Sequence, residues 1–395
     1  MSYSSLPDHF AARLEALQAQ DLYRRRRVVE AVAGTRVHMD GRELINFSSN
    51  DYLGLADHPR VVEAFRRAAG EYGVGSGAAH LISGHTREHH RFEEELADFT
   101  GRERALLFST GYMANAGVIA ALTDRHDAIY EDRLNHASLI DAAQLSRAKM
   151  KRYAHVDTTA LAALLGNDGS RWRLIVSDGV FSMDGDVAPV AELAQLATDH
   201  AAGLLIDDAH GFGVLGARGG GSLEAAGLDP AEVPILMCTL GKALGVFGAF
   251  VAGDAALIET LIQSARSYIY TTALPPAVAA AGRAALSLLR EESWRRDHVL
   301  ALAQHFRAGV MQLGLQSPPS PTPIQPLILG EAATALAWSA ALARAGFLVQ
   351  AIRPPTVPAG SARLRVTFSA GHTQADVDAL LAQLETLARG AGGVT

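Results

Sequence analysis

The chain of 395 residues is 49% hydrophobic with a net charge of −7, enough length and apolar content for one large core plus a smaller domain. That balance excludes a domain-wide positive field for nucleic acid, and no run approaches the roughly 18 apolar residues of a membrane span. One cysteine, Cys238 in an apolar run, excludes a disulfide framework, and the start Met1-Ser-Tyr-Ser-Ser-Leu-Pro-Asp8 lacks a secretory pattern, so a soluble cytoplasmic protein is expected.

Residues 8–27 predict an amphipathic helix ending in Arg24-Arg25-Arg26-Arg27, and residues 35–47 a hairpin turning on Asp40-Gly41. Together residues 1–49 read as an N-terminal helix and hairpin segment. From 50 to 292, helical stretches at 59–70, 88–100 and 190–201 alternate with short apolar strands near 105–108, 128–131, 174–177, 204–207, 235–239 and 249–252. Such alternation predicts a mostly parallel sheet covered by helices. A helical stretch at 277–314 leads to the proline-rich 317–326, which breaks regular structure, and residues 293–395 read as an α+β domain.

Several sites for chemistry lie on these elements. Phe108-Ser109-Thr110-Gly111-Tyr112 offers a strand, a glycine turn and a helix start, whose free N–H groups suit a phosphate; the plainer role of Ser109-Thr110 is a helix cap. His136, after the strand at 128–131, could cap a helix. The buried strand at 204–207 empties Asp207, Asp208 and His210 into a turn, and strand alternation sends the two acids to opposite sides. Three lysines stand against 32 arginines; Lys149 and Lys151 share a basic run and read as solvated surface cations, whereas Lys242 lies after an apolar run on a glycine-flanked loop. A desolvated lysine there can lose its proton and attack a carbonyl, the start of Schiff-base chemistry. Thr239 and the pair Thr271-Thr272 add hydroxyl donors.

Two patterns are weighed and set aside. Gly211-Phe-Gly213-Val-Leu-Gly216 satisfies a dinucleotide fingerprint, but it runs into Ala217-Arg-Gly-Gly-Gly-Ser222, a flexible glycine-rich loop where the fingerprint requires a helix to open. His85, His89 and His90 suggest a metal, with His85 and His89 one helical turn apart, yet no cysteine or paired carboxylate completes a ligand set, so a polar helix face and no metal are expected.

With Asn46-Phe-Ser-Ser-Asn-Asp-Tyr-Leu-Gly54, Phe181-Ser-Met-Asp-Gly-Asp186, Asp207-Asp-Ala-His-Gly211 and Thr239-Leu-Gly-Lys242 in place, the chain resembles the α-oxoamine synthase family of fold-type I pyridoxal phosphate (PLP) enzymes from about residue 22 to 372. The runs Ile324-Gln-Pro-Leu-Ile328, Ala351-Ile-Arg-Pro-Pro-Thr-Val-Pro-Ala-Gly360 and Ala362-Arg-Leu-Arg365 are similar to the subfamily that condenses L-alanine with a pimeloyl thioester, carried on acyl carrier protein or coenzyme A. Siblings that use glycine or serine with acetyl, succinyl or palmitoyl donors share most of these residues. The resemblance implies a large domain with a mostly parallel seven-stranded sheet flanked by helices, a smaller α+β domain from both termini, and a homodimer. It implies that Lys242 carries PLP and acts as base, that Asp207 pairs with the ring nitrogen, and that His136 stacks on the ring. His210 and Ser182 would lie by the ring hydroxyl, and Gly111, Tyr112 and Thr239 at the phosphate. Thr271 and Thr272 would reach the phosphate of the partner subunit. Arg24, Asn50, His136, Arg353, Thr356 and Arg365 would contact substrate, Arg365 taking the alanine carboxylate. Gly77-Ala-Ala-His80 and Phe212 depart from the family's loops, so the acyl tunnel is expected to differ in width.

Overall fold

The structure is a computed structural model that describes residues 5–392; the first four residues of the N-terminal segment lie outside it. The chain divides into two compact units, one of Met1–Ser49, Ala301–Pro319 and Pro323–Thr395, the other of Asn50–Leu300 and Ser320–Thr322.

In the first unit, helix α1 (Leu6–Ala19) is capped by Ser5, whose hydroxyl accepts the Asp8 N–H at 3.3 Å. It ends earlier than expected. Asp21 adopts a left-handed φ of 55°, and the N–H groups of Asp21 and Leu22 close back on the carbonyls of Gln18 and Leu17 at 3.1 and 2.9 Å. The arginines at 24–27 therefore lie beyond the helix, in extended chain. No α1 residue is buried, so nothing sustains the helix past its cap. Strands β1 (Val29–Ala33), β2 (Arg36–Met39) and β3 (Arg42–Asn46) form an antiparallel run. The β2–β3 turn falls on Asp40 and Gly41, with φ of 53° and 71°, the paired positive values of a tight hairpin turn.

The second unit carries α2 (Pro59–Tyr72), a π-helical turn (His80–Gly84), α3 (Arg87–Thr100), β4 (Arg104–Phe108), α4 (Gly111–Leu122), β5 (Ala128–Asp132), α5 (Ala137–Ser146), β6 (Lys149–Tyr153), β7 (Arg173–Asp178), β8 (Gly203–Asp207), β9 (Ile235–Thr239) and β10 (Ala249–Gly253). These seven strands form one sheet in the order β4-β10-β9-β8-β7-β5-β6, with only β10 antiparallel to its neighbours. Leu174, Val176, Leu205 and Met237 alternate onto a face packed by Val118 and Ile119 of α4. Truncating one such buried leucine to alanine costs about 2–5 kcal/mol, which shows how firmly the strand ends are anchored.

Two expectations are corrected here. Lys149 is exposed as expected, but it and Lys151 belong to the edge strand β6, and the half-buried Lys151 ammonium pairs with Asp168 at 2.8 Å over the Tyr130 ring. Charged residues on a sheet edge discourage further pairing, and they also erase the apolar signature of a strand. The single helical stretch at 277–314 is two helices, Pro276–Glu291 and Trp294–Gln312.

The first unit is completed by β11 (Ile324–Gly330), β12 (Phe347–Leu348), β13 (Gln350–Ile352) and β14 (Ala362–Thr367), with helices Ala332–Arg344 and Gln374–Gly392. Strand β12 joins β3, and the other three form a sheet in the order β11-β14-β13. No helix among the described residues is long and apolar enough to cross a membrane.

Candidate active site

The carboxyl ends of β4, β5, β7, β8 and β9 open on one edge of the large sheet, where loops leaving parallel strands build binding crevices. A cavity of about 180 Å³ lies there. It is lined by Gly111, Tyr112, His136, Ser182, Asp207, His210, Thr239 and Lys242, all singled out in the sequence, together with Ser138, Asp178, Ala209 and Met237.

Asp207 ends β8 and is 3% exposed. Its carboxylate accepts from the Asn115 amide at 2.7 Å and from the Ala209 N–H at 3.1 Å. The same Asn115 amide donates to the Ser138 hydroxyl at 2.9 Å, which in turn donates to His136 Nδ1 at 2.7 Å. That relay leaves the His136 proton on Nε2. Burial lowers the His136 pKa, so the ring is neutral near pH 7. Asp178, level with Asp207 on the next strand, accepts the His136 N–H at 2.7 Å, and its pKa is pushed well up by burial and then by the Asp207 charge. Two carboxylates therefore meet at one level of the sheet, at one end of the cavity. The Asn115 amide and the Ala209 N–H hold the Asp207 carboxylate in place, and a buried carboxylate so held suits a cationic partner. A protonated pyridine nitrogen meets the requirement.

At the other end of the cavity, α4 begins at Gly111, with Thr110 capping the Met113 N–H at 3.1 Å. The N–H groups of Gly111 and Tyr112 precede the first turn's hydrogen bonds and suit a phosphate dianion. Tyr112 Oη is held by Asp141. Lys242 sits half-buried on the turn after β9, where its carbonyl accepts the Gly245 N–H at 2.9 Å. Gly245 has a φ of 67°, and a Cβ there would lie 2.4 Å from the Ala56 nitrogen, so only glycine closes the turn that presents the lysine. The Thr239 hydroxyl braces this turn against the Gly248 carbonyl at 3.1 Å. His210 meets Tyr52 Oη at 2.6 Å, and Tyr52 reaches Asn50 at 3.3 Å, so Asn50 stands behind the cavity wall, with Tyr52 between it and the lining His210.

Asp208 faces away, as alternation requires. It is fully buried in a cage of glycines: a Cβ on Gly221 or Gly211 would lie 1.8 or 2.1 Å from its oxygens. Its Oδ2 accepts the Ser222 N–H at 2.7 Å, while burial pushes its pKa up to about 7. The folded state thus holds a proton that the unfolded chain has lost, and the parent should lose stability relative to Asp208→Asn as pH rises from about 4 to 7, with a constant gap above. Thermal melts across that range check this, and a gap that shrinks with rising pH contradicts it.

Other expected residues lie elsewhere. Thr271 and Thr272 do not line the cavity; they occupy the stretch between the helices Arg266–Ile269 and Pro276–Glu291. In the first unit the Arg24 guanidinium donates to the Thr356 hydroxyl at 3.2 Å, and Arg353 donates to the carbonyls of Asp21 and Tyr23. Arg365 is buried in β14, opposite Pro326 and Gln350. The expected polar helix face at 85–90 is corrected: Thr86 caps α3, so His85 precedes the helix, and His89 is fully buried with Nε2 donating to the Leu274 carbonyl at 2.7 Å. Asn115, Ser138, Asp178 and Tyr52 were not singled out as site residues. The apolar strand ending in Ser177-Asp178 held a signal for one of them, since it repeats the pattern of Asp207.

Comparison with known proteins bears on this geometry. The profile of aminotransferase class I and II matches residues 42–384. The 8-amino-7-oxononanoate synthase of Methylococcus capsulatus is 58% identical over 374 residues, 95% of this chain and 97% of that one. A serine palmitoyltransferase solved with PLP superposes with a TM-score of 0.93 at 30% identity, covering 99% of this chain and 100% of the other. An 8-amino-7-oxononanoate synthase from Francisella tularensis superposes with a TM-score of 0.77 at 32% identity, covering 88% of this chain and 98% of the other.

Proposed function

The chain belongs to the class I and II aminotransferase family, among its 8-amino-7-oxononanoate synthases, and from that premise we propose that it condenses L-alanine with a pimeloyl thioester, releasing carbon dioxide and the thiol, as a step of biotin synthesis. The observation that carries the chemistry is the meeting of Lys242 and Asp207, from the ends of adjacent strands, in one cavity beside the α4 N-terminus. The cofactor is PLP, and the donor set fits it: a lysine for attachment, a buried carboxylate that wants a cation, and open helix N–H groups for a phosphate. When bound, PLP supplies a ring that absorbs the electron pair left at the amino acid's Cα.

The residues then have separate tasks. Lys242 takes the proton from the alanine Cα. Asp207 holds the ring nitrogen protonated, with Asn115 fixing the carboxylate. His136, neutral and oriented by Ser138, would hold the ring and meet the substrate carboxylate. Ser182 and His210, the latter set by Tyr52 and Asn50, serve the ring hydroxyl side. Gly111, Tyr112 and Thr239 serve the phosphate. Arg365 takes the alanine carboxylate through its planar fork, and Arg24, Arg353 and Thr356 serve the acyl substrate. A homodimer is part of this reading. Tyr270, 71% exposed, precedes the Thr271-Thr272 stretch, Val74 and Ile82, 91% and 80% exposed, lie on either side of Ala78, and an Ala273–Ala78 backbone bond of 3.0 Å ties the two segments together. Such apolar exposure suits a second copy whose phosphate Thr271 and Thr272 would reach. A cytoplasmic location accords with the single buried thiol of Cys238.

Donor choice tests the assignment. In competition among pimeloyl, acetyl, succinyl and palmitoyl thioesters with L-alanine, glycine and L-serine, the ratio of specificity constants should favour pimeloyl and alanine. Preference for serine with palmitoyl would place the chain with the palmitoyltransferases it superposes on, and preference for glycine with acetyl or succinyl with the other siblings.

A further inference from the structure

A cluster of imidazoles lies outside the cofactor cavity, around the π-helical turn His80–Gly84 and the first turns of α3, and the two cavities share no lining residue. His85 Nε2 faces His90 Nδ1 at 3.5 Å and Glu93 Oε2 at 3.9 Å, and the ligand atoms of all three residues lie within 4.8 Å of one another. The outward atoms of each group are already engaged. His85 Nδ1 meets His80 Nδ1 at 3.0 Å, His90 Nε2 faces Glu94 at 3.5 Å, and the other oxygen of Glu93 accepts the Leu107 N–H at 2.9 Å. A histidine whose far nitrogen is held by a carboxylate or another ring turns its near nitrogen inward as a lone pair, the arrangement that orients metal ligands.

We propose that His85, His90 and Glu93 form a binding site for one zinc-class divalent cation. Two nitrogens and a carboxylate oxygen are the donors such ions take. At bond lengths near 2.0–2.1 Å, tetrahedral ligand atoms stand about 3.3–3.4 Å apart, so the 3.5 and 3.9 Å spacings from His85, and the third of no more than 4.8 Å, close by an inward movement of the His90 ring. His90 is 65% exposed at its side chain, and the ring it meets edge-on is that of its fellow ligand His85. An adjoining cavity of about 260 Å³ leaves a fourth position for water. Arg104, which also lines it, is drawn toward Glu259 at 3.1 Å. The ion would pin the π-helical turn to α3: His80, the partner of His85, stacks on Tyr268 at 4.9 Å.

The test uses the PLP-loaded protein, dialysed against a chelator and titrated calorimetrically with zinc, with cobalt(II) as the spectroscopic substitute. The expected result is one zinc per chain and tetrahedral cobalt bands. His90→Gln and Glu93→Gln should each weaken binding at least about tenfold. Glu93→Gln keeps an oxygen for the Leu107 N–H, so the fold survives, and metal-free melts of both variants verify it. His126→Gln, at an exposed histidine elsewhere, should bind as the parent does. No stoichiometric zinc binding, or binding undiminished in either variant, overturns the site.

Discussion

Lys242→Ala is expected to lower the condensation of L-alanine with a pimeloyl thioester by at least ~10³-fold, because one side chain supplies both the attachment point and the base. Alanine at this position leaves the cavity's other donors in place, so PLP should still bind, though exchangeably. Lys149→Ala and Lys151→Ala act on the edge strand β6, remote in role, and should keep the parent's turnover. Exchange of the alanine Cα hydrogen for deuterium in heavy water isolates the proton step: it should vanish in Lys242→Ala and persist in the other two. Exchange at the parent rate in Lys242→Ala would remove the lysine from its assigned role.

Asp207→Asn should retain PLP and lose about 10²–10³ in turnover, the range associated with removing one preorganised electrostatic partner. An amide cannot hold the ring nitrogen as a cation, and it adds an N–H aimed at the Asn115 amide, whose two hydrogens are already committed to Asp207 and Ser138. Asp208→Asn, in the glycine cage on the other side of the strand, should leave turnover near the parent's. Equal losses in the two variants would show that the division of labour between neighbouring acids is wrong.

The large sheet was legible because its interior strands are short apolar runs, and the site was legible where such runs end abruptly in polar groups: Asp207 as the last residue of β8, Lys242 just past β9. The opposite orientation of Asp207 and Asp208 came from strand alternation alone, and the structure puts one in the cavity and the other against Ser222. What the sequence hid depends on partners far along the chain. Asn115 meets Asp207 across 92 positions, and no local pattern marks it. β6 was hidden by its own two lysines and Arg152. The end of α1 was hidden because a left-handed aspartate, not a glycine, makes the cap. The histidines at 85–90 were misplaced because a helical spacing was extended one turn beyond Thr86, where the helix begins.

Reductive trapping tests the central claim most directly. Purified protein loaded with PLP is reduced with borohydride, digested, and the pyridoxyl-bearing peptide identified by mass. The account predicts the label on Lys242 at one per chain; a label on Lys149 or Lys151 would contradict it.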